Sequence, residues 1–215
     1  MFALWGVGLL ALRHGDLPRA IPRLERAIGL CQDADLPVYF PWIAAALGAA
    51  YTLGGRVADA VPLLTQAIEQ TTAADTILYQ AVCHLSLGEA QLLAGHLEEA
   101  YALAERALAH ARAHQERGNE AYALRLLGEI TARREPPERD QAGDHYRQAL
   151  ALAEALGMRP LQAHCHLGLG RLCAKTGQQE EGRAELSMAV EMYRAMAMTF
   201  WLAEAESALT EVEGR

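Results

Sequence analysis

The sequence predicts an all-α protein, a right-handed α-solenoid of five helix hairpins followed by a C-terminal capping helix. Three observations predict this class: a glycine that recurs at a nearly constant spacing, small residues that recur in step with it, and turn-forming residues between the two series. Elsewhere the apolar residues follow the i, i+3, i+4, i+7 spacing of helices, and no sustained alternating strand pattern occurs.

The repeat is defined by three matched series of small residues. The first is a glycine at positions 8, 48, 88, 128 and 170, with spacings of 40, 40, 40 and 42 residues. The second series consists of Ala20, Ala60, Ala100, Ala142 and Gly182, and the third of Ala27, Ala67, Ala107, Ala149 and Ala189. Because two antiparallel helices approach closely only where side chains are short, the glycine on the first helix is expected to touch the alanine on the second.

Each repeat is expected to form a helix, a turn and a second helix, because a breaker such as Gly15-Asp16-Leu17-Pro18 or Gly54-Gly55 separates the glycine from the alanines. Two extra residues in the fourth repeat fall at Glu135-Pro136-Pro137-Glu138, where a loop is predicted. The expected single domain covers residues 1–215. Its repeats span about 1–35, 36–74, 75–116, 117–158 and 159–197, and the capping helix spans 199–213.

Composition excludes several functional classes. The 215 residues carry a net charge of −8, which offers no overall basic field for a nucleic acid partner. The apolar opening from Met1 to Leu12 is shorter than the roughly 20 residues of a membrane helix and lacks the basic start of a secretory leader. The four cysteines lie far apart, so no disulfide framework is expected. These features predict a cytoplasmic protein with no membrane or nucleic acid partner.

The first helix is apolar on all sides, which is unusual for the end of a solenoid. Such a helix would leave Phe2, Leu4 or Trp5 in water unless something covers them. We therefore expect an interface here. Either the chain is part of a longer array or it associates with itself through this end.

Two motifs suggest chemistry that their context does not support. His164-Cys165-His166 with Cys173 contains zinc-ligand residue types, but adjacent helical residues point about 100° apart, so core packing is the preferred interpretation. The run from Gly168 to Thr176 is similar to a phosphate-binding loop, yet it lacks the second loop glycine at the required spacing and a preceding strand. No catalytic, cofactor-binding or metal-binding residue is predicted, and a nucleotide-binding enzyme is the less favoured alternative.

The run Leu87-Gly88, with Ala100 and Ala107 after it, resembles the tetratricopeptide repeat (TPR), and Tyr51 occupies the tyrosine position of that signature. A narrower resemblance covers most of the chain. It is to the C-terminal repeat region of bacterial regulators that carry a class III adenylate/guanylate cyclase-like domain and an AAA-type ATPase module. The segments that carry it include Pro41-Trp42-Ile43, Leu87 to Gly95, Ala123 to Ile130, Ala163 to Gly170 and Met192-Tyr193-Arg194.

The TPR resemblance implies five TPR-like hairpins whose first helices line a concave groove. The charged residues expected to face that groove and to contact a partner are Arg13, Glu89, Arg125, Glu129, Arg171 and Lys175. A solvated ion-pair surface is the alternative interpretation of these residues, and catalysis is a third.

Both resemblances imply a non-catalytic protein-interaction scaffold. Its partner would be a protein or peptide, or the cyclase/ATPase modules of a larger bacterial signalling protein. A stand-alone adaptor that self-associates through its N-terminal helix is the alternative.

Overall fold

The computed structural model describes residues 1–74, 77–134 and 138–214. Within these ranges the chain forms eleven α-helices and one turn of 3₁₀ helix at Pro37–Tyr39, and no strand. The predicted all-helical class is therefore confirmed for the described residues. The predicted loop insertion at Glu135, Pro136 and Pro137 lies outside them. The helices are α1 (Phe2–His14), α2 (Leu17–Asp33), α3 (Phe40–Leu53), α4 (Val57–Ala73), α5 (Gln80–Leu93), α6 (Leu97–Ala113), α7 (Arg117–Thr131), α8 (Arg139–Ala155), α9 (Arg159–Lys175), α10 (Gln179–Ala195) and α11 (Thr199–Glu213).

The chain divides into two compact units, which we call unit 1 (Met1–Asn119) and unit 2 (Glu120–Arg215). In unit 1, the pairs α1/α2, α3/α4 and α5/α6 form hairpins, and α2 and α4 also pack against the next hairpin through α3 and α5. In unit 2, α9 packs against α8 and α10, and α10 packs against α11. A single solenoid through all 215 residues, with the repeat boundaries given above, stays a prediction.

The turns share one hydrogen-bonded motif. After α1, Gly15 takes a left-handed conformation with φ 76°, and the Asp16 N–H donates to the Ala11 carbonyl at 2.9 Å. This is the Schellman motif, and Gly55, Gly95 and Gly177 provide the left-handed residue in the corresponding turns. The predicted breakers therefore end helices because glycine has no Cβ to oppose positive φ.

Four described turns that follow a hairpin use the same motif without a consistent glycine. Gly157 is left-handed there, but so are Asp35, Gln115 and Ala197, with φ between 50° and 57°. A left-handed conformation costs a non-glycine residue roughly 1–2 kcal/mol, so local preference alone does not select these turns. This explains why the residue types at these turns did not identify them in the sequence.

The repeated glycine makes a contact beyond the one predicted. A Cβ built on Gly8 would lie 2.7 Å from Cγ of Leu24, and one built on Gly170 would lie 2.6 Å from Cγ of Leu186. The expected contact with the second series is present at Gly8, whose built Cβ lies 3.4 Å from the Ala20 carbonyl oxygen, and at Gly170, whose built Cβ lies 3.0 Å from that of Gly182. The prediction did not include the larger side chain that packs over the glycine. The leucine fills the space that the missing side chain leaves, and buried alanines on either side of it let the backbones approach.

Candidate functional site

An open cavity of about 540 Å³ lies in unit 2 between α7, α9 and α11. Its volume falls within the roughly 300–1,000 Å³ range of ligand pockets. Side chains from five helices, α7 to α11, line it, and Tyr146 of α8 and Leu167 of α9 are among its buried residues. A ligand here would therefore contact helices that are far apart in the sequence.

Positive side chains crowd this cavity, and most are already paired. Glu129 accepts hydrogen bonds from Arg125 at 2.8 Å and from Arg133 at 2.7 Å. Arg171 donates to Glu204 of α11 at 2.8 Å. Lys175 also lines the cavity, is exposed, and forms no ion pair within the described part of the chain. The cavity thus offers cations to a ligand, and carboxylates that a ligand could replace.

An aromatic group forms part of the cavity wall. The Trp201 ring lies edge-on to His164, with ring centroids 4.7 Å apart. A hydrogen bond of 2.6 Å joins the Tyr193 hydroxyl to His164 Nδ1. Burial raises the pKa of Tyr193, so its hydroxyl stays protonated at neutral pH. The Trp201 indole N–H is buried and has no hydrogen-bond partner among the residues that the structure describes. The Trp201 ring therefore contributes an apolar surface to the cavity wall.

Tyr146 stands where the other repeats place a smaller residue. Leu24, Leu64 and Leu186 occupy the corresponding place against their own repeat glycines. The tyrosine ring instead extends past Gly128 to Gly168. Burial, with Glu129 nearby, raises the pKa of its hydroxyl, so Tyr146 lines the cavity as a neutral phenol.

Four of the six predicted groove residues line this cavity, namely Arg125, Glu129, Arg171 and Lys175. The other two belong to unit 1, where Arg13 is exposed near the end of α1 and Glu89 is half-buried in α5. That all six contact a partner stays a prediction. Sequence reasoning missed Trp201, His164, Tyr146 and Glu204. The replacement of the consensus leucine by Tyr146 is the signal that could have revealed this repeat as different.

The N-terminal aromatic residues have unequal exposure. Phe2 is 51% exposed and lies edge-on to Tyr39. Trp5 is half-buried because Trp42 packs against it, with ring centroids 3.7 Å apart. Leu4 is half-buried against the apolar core of unit 1. Of the three residues expected in water, only Phe2 is exposed, since α3 covers the other side of α1.

The side chains of the zinc-like motif do not converge on one point. His164 bonds to Tyr193, His166 bonds to Glu185 at 2.6 Å, and Cys165 is fully buried. Over the described ranges, no group of three or more His, Cys, Asp or Glu residues could hold a metal ion. The phosphate-loop-like run from Gly168 to Lys175 lies inside α9. No described helix is both long and apolar enough to cross a membrane.

Comparison with known proteins relates this fold to solved TPR-like structures. No protein-family model matches the chain, and no curated protein matches it by sequence. A Rap protein complexed with competence and sporulation factor aligns with a TM-score of 0.82 and 14% identity, covering 97% of this chain and 61% of the Rap chain. A Rap conjugation gene regulator of plasmid pLS20, in complex with a Phr peptide, aligns with a TM-score of 0.77 and 21% identity, covering 93% and 55%.

A third similar structure is a signal transduction ATPase with numerous domains from Pyrococcus horikoshii, which has a tetratricopeptide repeat sensor. It aligns with a TM-score of 0.67 and 15% identity, covering 98% of this chain and 32% of the ATPase. The chain therefore has a TPR-like helical-repeat fold, as predicted. It spans 61% and 55% of the two Rap proteins. The link to cyclase-like regulators stays a prediction.

Proposed function

We propose that this protein is a non-catalytic interaction scaffold that binds a peptide or protein segment in the cavity of unit 2. The observation that carries the proposal is the presence of Arg125, Arg171 and Lys175 beside Trp201 in one open cavity. A segment with an acidic group and an apolar side chain would satisfy both surfaces. Because the cavity is built on helices, binding would cost little ordering of the scaffold.

The ion pairs in the cavity could exchange their own carboxylate for that of a ligand. The Arg171 and Glu204 side chains are 44% and 39% exposed. Exposed pairs of this kind contribute about 0–1 kcal/mol, so a ligand carboxylate could replace Glu204 at small cost.

The similar structures support a peptide ligand by analogy of fold. Two of them are Rap proteins whose structures contain competence and sporulation factor or a Phr peptide. We extend the analogy to a peptide-binding role here. The Pyrococcus ATPase, which combines a signalling ATPase with a TPR sensor, supports a second part of the proposal. In that part the chain acts as the regulatory arm of a larger bacterial signalling protein, with the cyclase-like link resting on motif resemblance.

A nucleotide-binding enzyme is not favoured. Gly168 and Gly170 lie within α9, where the backbone N–H groups belong to the helix and do not face a phosphate. The tight packing of each glycine against Tyr146 or Leu186 gives both a structural reason to be small.

The experiment that tests the proposal is a selection of displayed random peptides on the full chain, followed by titration of the selected peptides. Arg171→Glu and Lys175→Glu are each expected to weaken binding at least tenfold. Arg183→Glu is the matched control, because Arg183 is an exposed arginine of unit 2 that does not line the cavity. Peptides that bind both cavity variants as tightly as the control would refute the proposal.

A further inference from the structure

The outer face of α1, which we define as Phe2, Ala3, Gly6, Val7 and Leu10, is an exposed apolar surface of unit 1. Phe2, Val7 and Leu10 are 51%, 41% and 61% exposed, and Ala3 is also exposed. Positions 3, 6, 7 and 10 follow the i, i+3, i+4, i+7 spacing, so they form one stripe on the helix. Such a stripe normally faces a core and not water.

The positions equivalent to this stripe can be compared in the other repeats of unit 1. The same register falls forty residues later on α3 and eighty residues later on α5, and at both places the residues are buried. They are Ile43, Ala46, Leu47 and Ala50 on α3, and Cys83, Ser86, Leu87 and Ala90 on α5.

A preceding second helix covers the stripe in these two repeats. The α2 helix packs against α3, and α4 packs against α5. Leu87 and Ala90, the counterparts of Val7 and Leu10, share an apolar cluster with Ala60 and Leu64 of α4. On α1 the described contacts are with α2, α3 and, through Phe2, Tyr39 of the 3₁₀ turn, and no described helix covers Ala3, Val7 and Leu10.

Gly6 provides an independent indication that the face of α1 is shaped for a helix. A Cβ built on Gly6 would meet nothing within 4 Å, so packing inside the chain does not require a glycine there. Its counterparts, Ala46 and Ser86, are also small, and both are buried. A small residue at this register allows a covering helix to approach closely.

Charge suggests the chemistry of that helix. The α1 sequence contains no acidic residue and ends with Arg13 and His14. A helix that lies antiparallel to α1, as α2 lies to α3, would begin beside those two residues. The second helices of unit 1 carry acids at this end, with Asp59 in the first turn of α4 and Glu98 in that of α6. Acids in a first turn would attract Arg13 and also complement the dipole of their own helix.

We propose that the outer face of α1 binds an amphipathic α-helix of a partner protein. The helix lies antiparallel to α1, places small and aliphatic residues over Gly6, Val7 and Leu10, and has an acidic first turn. This surface belongs to unit 1 and is independent of the cavity proposed above.

The probe that tests this inference is a synthetic peptide of residues 56–74, which has the sequence of α4 and its flanking residues and therefore already matches an equivalent face on α5. Fluorescence anisotropy of the labelled peptide, titrated with the full chain, is expected to show saturable binding. Val7→Glu and Leu10→Glu are expected to weaken it at least tenfold. Leu93→Glu on α5, which is 53% exposed, is the matched control and should leave binding unchanged.

Two results would overturn the inference. One is the absence of saturable binding, or binding that is equally strong to the Leu10→Glu chain and the control. The other is a wild-type dimer in light scattering that Leu10→Glu dissociates, since a second copy would then occupy the face. Circular dichroism checks that each variant is folded, and these exposed positions are expected to tolerate the change.

Discussion

The ring of Tyr146 occupies the space that a side chain on Gly168 would need. A Cβ built on Gly168 would lie 2.5 Å from the ring Cζ and 2.9 Å from the hydroxyl oxygen of Tyr146. Both atoms belong to the rigid phenol group of a buried side chain, so the clash cannot be removed by a small rotation of a flexible chain end. The tyrosine and the additional glycine are thus complementary, and together they form part of the cavity wall.

Gly168→Ala is expected to lower the free energy of unfolding by about 1–3 kcal/mol through overpacking. Urea unfolding followed by circular dichroism measures the change. Gly29→Ala is the control, because Gly29 lies inside α2 with open space at its Cβ position, and this change is expected to be neutral or stabilising by up to about 1 kcal/mol. Adding Tyr146→Leu should restore part of the loss, and a full-sized loss in that double variant would contradict the packing argument.

Left-handed turn residues predict a stabilising substitution. Ala197 has φ 54° and closes α10 with the same hydrogen bonds that Gly157, at φ 66°, provides after α8. Ala197→Gly is expected to stabilise unit 2 by about 1 kcal/mol, because glycine removes the cost of positive φ. The reciprocal change, Gly157→Ala, should destabilise it by a similar amount. Thermal unfolding of both variants tests the pair, and shifts of the same sign would be inconsistent with this reason.

His84 predicts a loss of stability in acid. It is buried, stacks on His110 with centroids 5.5 Å apart, and its Nδ1 lies 2.8 Å from the Gln80 carbonyl oxygen. Burial lowers its pKa, and His110 and Arg106 lower it further, against the Gln80 hydrogen bond. Below about pH 6.5 this histidine therefore binds a proton in the unfolded chain more readily than in the folded chain. The free energy of unfolding consequently decreases as the pH is lowered.

The measurement for His84 is the urea midpoint between pH 8 and pH 5. As the pH is lowered past 6.5, we expect the urea concentration at the midpoint to decrease in the wild type and to decrease less in His84→Gln. His14→Gln, at the exposed end of α1, serves as the control for removing a histidine elsewhere in unit 1. An identical pH profile in wild type and His84→Gln would show that this histidine is not responsible.

The cysteines are expected to be unreactive in the folded chain. All four are buried, and burial raises the pKa of Cys83 and of Cys165 to about 12. Because the thiolate is the reactive form, Ellman's reagent should modify the native protein slowly and should modify four thiols rapidly in urea. Rapid native labelling of more than one thiol would contradict the packing of these residues.

Tyr193→Phe tests how the cavity wall is held. The change removes the 2.6 Å hydrogen bond to His164 and is expected to cost about 1–3 kcal/mol, because it leaves a partly buried partner unsatisfied. Since His164 packs against Trp201, binding of a selected peptide should weaken even though Tyr193 does not line the cavity. Unchanged peptide affinity would mean that Trp201 keeps its position without this support.

Much of the fold could be predicted from short-range patterns. Gly15, Gly55, Gly95 and Gly177 indicated the turns within hairpins, because glycine adopts positive φ without steric cost and this preference can be read from a single residue. The turns at Asp35, Gln115 and Ala197 could not be predicted this way, since these residue types do not mark a left-handed turn as glycine does, and packing of the flanking helices holds them in it. The larger side chain over the repeat glycine, a leucine at Gly8, Gly48 and Gly170 and Tyr146 at Gly128, was not predicted, because spacing identified the small residues but not which side chain lies over them.

The amino-acid sequence alone determined the helical class, the period of about forty residues and the places of the glycine turns within hairpins, since these follow from backbone preferences and periodic burial. It also singled out Arg125, Glu129, Arg171 and Lys175. Only the tertiary structure decided that these four surround one cavity with Tyr146 and Trp201, and that Trp42 covers Trp5 while Leu10 is exposed. Such relationships depend on which helices pack together, and side chains from helices far apart in the sequence carry no local signal of where they meet.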